Sequence, residues 1–366
     1  MADTSVGYKC PNCEAPLSFQ PGQDKVTCEY CGADFEISVV EELFQKKQEL
    51  AAKAAEAQQA KWDAEAAGGQ WSEEEMAAMQ TFTCSSCGAE LVCDSNTMAT
   101  ECCYCGNPTM LPNRFGGMLK PDFVIPFKKT KEEAVAALKE FYKGKRLLPN
   151  EFTANNRVED IQPMYVPFWL FDSDVEAHAS FKAEKVHVIN TSDETITETS
   201  VYECNRSGTM RFEKIPVDGS TKMDDTYMES IEPFDYSEMV PFSAAYFTGY
   251  LADKYDEDAE TVVPRADKRV EASAIDVLQE TVTGYDNCST NSSAVIKGEG
   301  KVAYAMVPVW ILTTRYKGQP YTFMMNGQTG KIVGSLPYDA NKAMMYFAGT
   351  AVVLLIILYF ILKLFI

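Results

Sequence analysis

An α+β fold is predicted by three observations: two metal-type cysteine quartets near the N-terminus, a central region where strand-like alternation and helical periodicity take turns, and a charge-free apolar run near the C-terminus. The architecture expected is two N-terminal four-cysteine zinc ribbons joined by a helical spacer, a mixed antiparallel-sheet-and-helix domain, and one C-terminal transmembrane helix. The ribbons fall at 1–38 and 81–112, the spacer at 39–80, the mixed domain at 113–338 and the membrane segment at 343–366. With 366 residues, 46% of them hydrophobic, the chain has the apolar content to bury a sizeable core.

The quartets carry the strongest signal. Cys10, Cys13, Cys28 and Cys31 form C-x2-C-x14-C-x2-C, and Cys84, Cys87, Cys102 and Cys105 repeat it with the same spacer, 74 positions on. A C-x2-C turn followed by a small residue, here Gly32, Gly88 or Gly106, aims two thiolates at one point, and two such knuckles complete a tetrahedron around Zn²⁺ at about 2.3 Å per bond. Segments this short bury too little apolar surface to fold alone, so the metal supplies most of their folding free energy. Two zinc ions per chain are expected; iron in a rubredoxin-like site would use similar knuckles. The chain opens "MADTSVGYKC" with no export signature, which favours reduced thiols over disulfides.

Four of the 12 cysteines stand outside the quartets. In the repeat, Cys103 aligns with Glu29 and Cys93 with Phe19, so neither is expected to be a ligand. Cys204 and Cys288 lie alone and read as packed or free thiols. His178 and His187 sit in an alternating run and read as sheet residues.

Between the ribbons, residues 39–80 are rich in Ala, Glu, Lys and Gln, with a thin apolar stripe at Val40, Leu43, Phe44, Leu50 and Ala54 that ends before Gly68-Gly69. In the mixed domain, Thr130 and Glu133 form a capping box for a helix carrying Val135, Leu138 and Phe141. Alternation of Val175, Ala177, Ala179 and Phe181 predicts a strand, and hairpins are expected around Ser207-Gly208. A helical section is expected over 233–283, in which Ala266, Val270, Ala274 and Val277 recur at helical spacing. "PMYVPFWLF" and "YAMVPVWIL" echo each other and predict two related strands, their prolines placing them at a bend, a strand start or an edge; turns are expected at Gly318 and at 327–330.

Residues 343–362, "AMMYFAGTAVVLLIILYFIL", contain no charge, and 20 residues of helix span about 30 Å, the thickness of a bilayer core. From 301 to 342, Lys301, Arg315, Lys317, Lys331 and Lys342 oppose only Asp339. This basic flank predicts a single-pass cell-membrane protein whose N-terminal domains are cytoplasmic.

The formal charge of −20 and a pI near 4.6 disfavour nucleic acid as a partner. Locally the first ribbon is net −4 and residues 81–113 are net −3, before each thiolate-bound zinc adds −2. A nucleic-acid-binding ribbon of transcription or replication type is the alternative reading. The sequence holds no Ser/His/Asp grouping, phosphate-cradling glycine loop or H-E-x-x-H, and two histidines are few for acid-base work, so no enzyme is expected and no catalytic residue is assigned.

On "CPNC" with "CEYCG", "VIPFKKTKEEAVAALKEFYKGKRLLPNEF", "MYVPFWLFD", "PFSAAYFTGYLADKYD" and "YAMVPVWILTTRYKGQPYTFMMNGQTGKIVG", the chain resembles bacterial TFIIB-type zinc-ribbon-containing membrane proteins. The resemblance implies a non-catalytic accessory protein that organises cytosolic or membrane-associated partners in membrane maintenance or envelope stress. PspA-like and SPFH/flotillin-like proteins are the partners it points to.

Overall fold

In a computed structural model, described for residues 8–13, 15–17, 25–57, 62–99, 101–155, 158–191 and 194–365, the elements follow in chain order. The N-terminal third holds β1 (Lys25–Thr27), β2 (Asp34–Glu36), α1 (Ile37–Ala57), β3 (Trp62–Asp63), α2 (Glu73–Ala77), β4 (Met79–Cys84), β5 (Glu90–Asp94) and β6 (Met110–Arg114). Next come β7 (Phe123–Val124), α3 (Lys131–Tyr142), α4 (Asn150–Asn155), β8 (Gln162–Asn190), β9 (Thr195–Asp218) and α5 (Asp225–Ile231). The rest comprises β10 (Val240–Pro241), β11 (Leu251–Asp253), α6 (Ala259–Glu280), β12 (Asn287–Lys297), β13 (Gly300–Tyr316), β14 (Gln319–Asn326), β15 (Ile332–Gly334) and α7 (Ala340–Phe365). The α+β class and the quartets at the N-terminal side are as the sequence predicts.

Contacts divide the chain into two units. The first comprises Met1–Asp63, Phe171–Ile215 and Val263–Val302. Here β1 and β2 form an antiparallel hairpin, with Val26 opposite Phe35. The part of β8 after Phe171 pairs with β9 and, antiparallel, with β12, which sets Cys288 opposite Ala183. Val270, Ala274 and Leu278 of α6 pack on Val175, Ala177, Ala179, Phe181 and Cys204, the strand residues that alternation singled out among them. Trp62 joins this core and donates its indole N–H to Asp267 at 2.8 Å. Only glycine fits at 300, because a Cβ there would lie 2.1 Å from the Trp62 ring.

The second unit comprises Ala64–Leu170, Pro216–Val262 and Ala303–Ile366. Its strands follow the order β10-β7-β13-β8-β11-β5-β4-β6, with β14 beside β13 and β15 beside β14. The sheet is mixed: β7 runs parallel to β13 and β11 parallel to β8, while β4, β5 and β6 are joined antiparallel. One face carries Ile125, Met164, Val166, Phe168, Val307 and Ile311, all fully buried. The other receives α3, whose Ala134 and Leu138 meet Phe152, Trp310 and Phe323. The capping box forms as expected: the Thr130 hydroxyl accepts from the Glu133 amide and the Glu133 carboxylate from the Thr130 amide.

Several local expectations are corrected. Ser207 and Gly208 lie inside β9; the hairpin closes instead where the Thr191 amide donates to the Glu194 carbonyl at 2.9 Å. At Gly208 the strand lies along α6, where a Cβ would make ordinary contact with Leu278 at 3.7 Å. On α6, Ala266, Val270 and Ala274 are buried but Val277 is 45% exposed, and Leu278 takes the inner position. Residues 233–258 form short strands and 3-10 turns rather than helix, the side chains of Asp235 and Ser243 capping the turns. Pro167 and Pro308 stand well inside β8 and β13, neither at a strand start, and their carbonyls accept from Gly219 and Gly327. The spacer is interrupted: α1 ends at Ala57, residues 58–61 and the Leu50 and Ala54 side chains lie outside the described residues, and α2 is a single short turn.

Candidate metal centres

Four copies of one local turn build the two quartets. The amide of each leading cysteine donates to the carbonyl five residues on, Cys10 to Ala15, Cys28 to Ala33, Cys84 to Ala89 and Cys102 to Asn107, at 2.8 to 2.9 Å. Three turns close with a glycine at positive φ, Gly32 (71°), Gly88 (70°) and Gly106 (64°), whose amide returns to the leading cysteine's carbonyl. The corresponding residue of the first turn, Glu14, lies outside the described residues.

The turns bring all eight predicted ligands into two groups of four, within each of which the Sγ atoms lie within 4.8 Å of one another. Cross-knuckle separations are 3.7 Å (Cys10 to Cys31), 3.5 Å (Cys13 to Cys28), 3.7 Å (Cys84 to Cys105) and 3.6 Å (Cys87 to Cys102). A tetrahedron with metal–sulfur bonds of about 2.3 Å has edges of about 3.8 Å, whereas a disulfide would need about 2.05 Å. Both donor sets therefore fit a divalent cation held by four thiolates, and all eight cysteines are free.

Outer contacts prepare the sulfurs for negative charge. The amides of Asn12 and Ser86 point at Cys10 and Cys84 Sγ at 3.4 Å, and the side-chain amides of Asn12 and Asn107 reach Cys31 and Cys84 at 3.8 Å. The amides of Cys31 and Tyr30 bring the Cys28 thiol down to about 6 despite burial. Burial raises Cys10 to about 12 and Cys102 higher still, whereas at Cys84 the amides of Cys87 and Ser86 outweigh burial and bring it to about 6. A cation replaces these unequal protons, so binding releases protons and weakens in acid.

The two centres sit in different surroundings. Around the first, Cys10, Leu17, Val26, Cys28 and Val40 with Tyr8, Ala15 and Phe35 make a small core. The second is built into the sheet of its unit, β5 pairing with both β4 and β11. Thr313 Oγ1 donates to the Cys103 carbonyl at 2.6 Å, and Arg315 donates twice to the Cys105 carbonyl at 3.0 and 2.8 Å. The Cys103 thiol and the Tyr104 hydroxyl both lie against Met164 Sδ, at 3.6 and 3.7 Å. Tyr30, which the repeat aligns with Tyr104, is 74% exposed.

The remaining cysteines lie outside both sulfur groups. Cys93 and Cys103 are buried beside the second centre, and Cys204 and Cys288 pack in the α6 core. His178 and His187 lie on β8, His178 bonded to Glu176 at 3.0 Å. Sequence reasoning missed Thr313 and Arg315, which stand 210 residues from the carbonyls they hold and carry no local motif. It also missed Asp253, whose fully buried carboxyl has no partner in hydrogen-bonding geometry among the described residues. Burial raises this carboxyl to about 7, the Ser220 and Tyr104 hydroxyls offsetting only part of the effect.

At the far end, residues Ala340–Lys363 of α7 form a helix of mean hydropathy 2.5 with no part of the apolar span buried, long and apolar enough to cross a membrane. Of the predicted basic flank, Arg315 is engaged at Cys105, Lys331 donates to the Glu232 carbonyl, and Lys342 donates to the Leu148 carbonyl.

Fold and site thus define a protein with two four-cysteine groups able to hold metal ions and, among the described residues, one C-terminal helix long and apolar enough to cross a membrane. The chain belongs to the family of the Bacillus subtilis (strain 168) protein named "Uncharacterized protein YdjG", with which it shares 32% identity over 346 residues, 94% of each chain. No family model and no solved structure matches the chain.

Proposed function

We propose that the protein is a zinc-ribbon adaptor, held in the cell membrane by α7 with its N-terminal domains in the cytoplasm, that recruits partner proteins to the bilayer. Zn²⁺ at each quartet would supply a closed, four-thiolate structural centre that fixes the knuckles. Cys10, Cys13, Cys28 and Cys31 would hold one ion and Cys84, Cys87, Cys102 and Cys105 the other.

The observation that carries the reading is the pair Tyr30 and Tyr104. Two equivalent knuckles offer the same aromatic; the second sets its tyrosine hydroxyl against Met164 of its own unit, and the first presents it to solvent. An exposed tyrosine is the kind of anchor protein interfaces use. Next to it Glu29 replaces Cys103, so the partner's pocket would be apolar with a basic rim. PspA-like and SPFH/flotillin-like proteins are the first candidates to examine.

The test is cross-linking and co-purification of the full-length protein from native membranes. A partner recovered reproducibly with the wild type, and lost on Tyr30→Ala while zinc content and membrane association persist, is the expected result. Recovery of no reproducible partner, or of one indifferent to Tyr30, would count against the adaptor role.

A further inference from the structure

The start of α7 is fixed to a loop far away in sequence. The Asp339 amide donates to the Leu147 carbonyl at 2.8 Å, and Lys342 Nζ donates to the Leu148 carbonyl and Asn150 Oδ1, both at 2.7 Å. The Asp339 carboxylate caps the helix by accepting from the Asn341 and Lys342 amides. The charge-free run begins four residues after Asp339, about 6 Å along the axis. The polar zone of a leaflet is itself about 5–8 Å thick, so a helix crossing the bilayer carries this loop at headgroup depth.

The loop is chemically suited to that depth. Lys143, Lys145, Arg146 and Leu147 are exposed while Leu148 and Pro149 are buried and hold the segment in place. Residues 141–150 contain three basic groups and no acid, in a chain of net charge −20. Lys143 makes a 3.2 Å pair with Glu140, but both partners are at least 70% exposed, so the pair yields readily. The Lys145 ammonium lies over the Phe141 ring, 5.5 Å from its centroid. Leu147 is 40% exposed and Tyr338, next to the helix start, 74%. Cations flanked by a leucine and a tyrosine match an interface of anionic headgroups over acyl chains.

We propose that the loop at 143–147 is a docking site for anionic phospholipid headgroups, Lys143, Lys145 and Arg146 pairing with phosphates and Leu147 entering the acyl boundary. The proposal rests on the membrane-anchored reading of α7. Its effect is to hold the second unit in one orientation at the leaflet, while the acidic remainder of the chain is repelled.

The experiment is amide hydrogen exchange of the full-length protein in nanodiscs of phosphatidylcholine alone, in discs with about one-third phosphatidylglycerol, and in phosphatidylcholine discs with added inorganic phosphate. A basic group near an anionic surface gains about fivefold in local binding. Exchange over 143–148 is therefore expected to slow about fivefold or more in the anionic discs alone, and the K143Q/K145Q/R146Q variant to remove the difference. Equal exchange in anionic and neutral discs overturns the proposal and leaves the anchor standing. Slowing by inorganic phosphate in neutral discs overturns the lipid assignment. Failure of the chain to stay with discs of either kind overturns the anchored reading, and this proposal with it.

Discussion

Replacing Asp253 with asparagine should change how stability depends on pH. The carboxyl is fully buried at the end of β11, with neither oxygen in hydrogen-bonding geometry to any described residue, and faces the Tyr104 and Ser220 hydroxyls, Asp256, Lys222 and Tyr304. Desolvation raises it from 3.8 to about 7, and Asp256 adds in the same direction, while Ser220, Tyr104 and Lys222 act against it. The folded protein thus binds a proton between these values that the unfolded chain has released, so stability falls as pH rises. The contribution is whole below about pH 4 and lost above about pH 7; at about 1.4 kcal/mol per pH unit it amounts to about 4 kcal/mol. In Asp253→Asn that slope disappears. Urea unfolding of both proteins between pH 4 and 8, in one detergent, measures the difference, from which titrations common to both cancel. A difference that stays constant across that range would refute the assignment of a neutral carboxyl at this site.

Metal analysis of purified protein should give two zinc ions per chain and a colourless product, and Cys13→Ser or Cys87→Ser should each lower the content toward one; a red iron-containing preparation would correct the metal. Loss of the first ion should unfold little beyond residues 8–40, because the core there is small, whereas loss of the second should loosen the β4-β5-β6 strands, both readable by limited proteolysis. Gly327→Ala should destabilise the second unit by about 1–3 kcal/mol in denaturant unfolding, since a Cβ at 327 would meet the Phe127 ring at 2.7 Å and Pro308 at 2.9 Å.

The quartets, the capping box and the apolar helix were legible because each is specified by residues close in sequence. Spacing alone sets the four-sulfur geometry, and Thr130 with Glu133 is a local exchange of two hydrogen bonds. What escaped was set by contacts between distant residues. Ser207-Gly208 has the composition of a turn, yet the inward alternation of Cys204, Met210 and Phe212 against α6 continues through it, and packing overrides turn propensity. Arg315 illustrates the same limit: read by position it belonged to a basic membrane flank, but the fold directs it to the Cys105 carbonyl. Beside Lys342 of α7 itself, the basic residues brought to the start of that helix come from 143–146, a segment that in sequence is only the tail of an amphipathic helix.

The two ribbons show why a repeat in sequence need not find the same surroundings. Their spacing, glycines and knuckle hydrogen bonds are shared, so each gathers four thiolates equally well. One substitution in register, Glu29 against Cys103, separates their faces. A buried thiol can lie on Met164, whereas a carboxylate against that thioether would lose its hydration. The second knuckle is consequently able to become part of a core, and the first is kept soluble with Tyr30 in solvent. Cys103→Glu should therefore damage the second unit far more than Glu29→Cys alters the first. A thermal-unfolding comparison in which both variants shift equally would break the link between that residue pair and the different packing of the two ribbons.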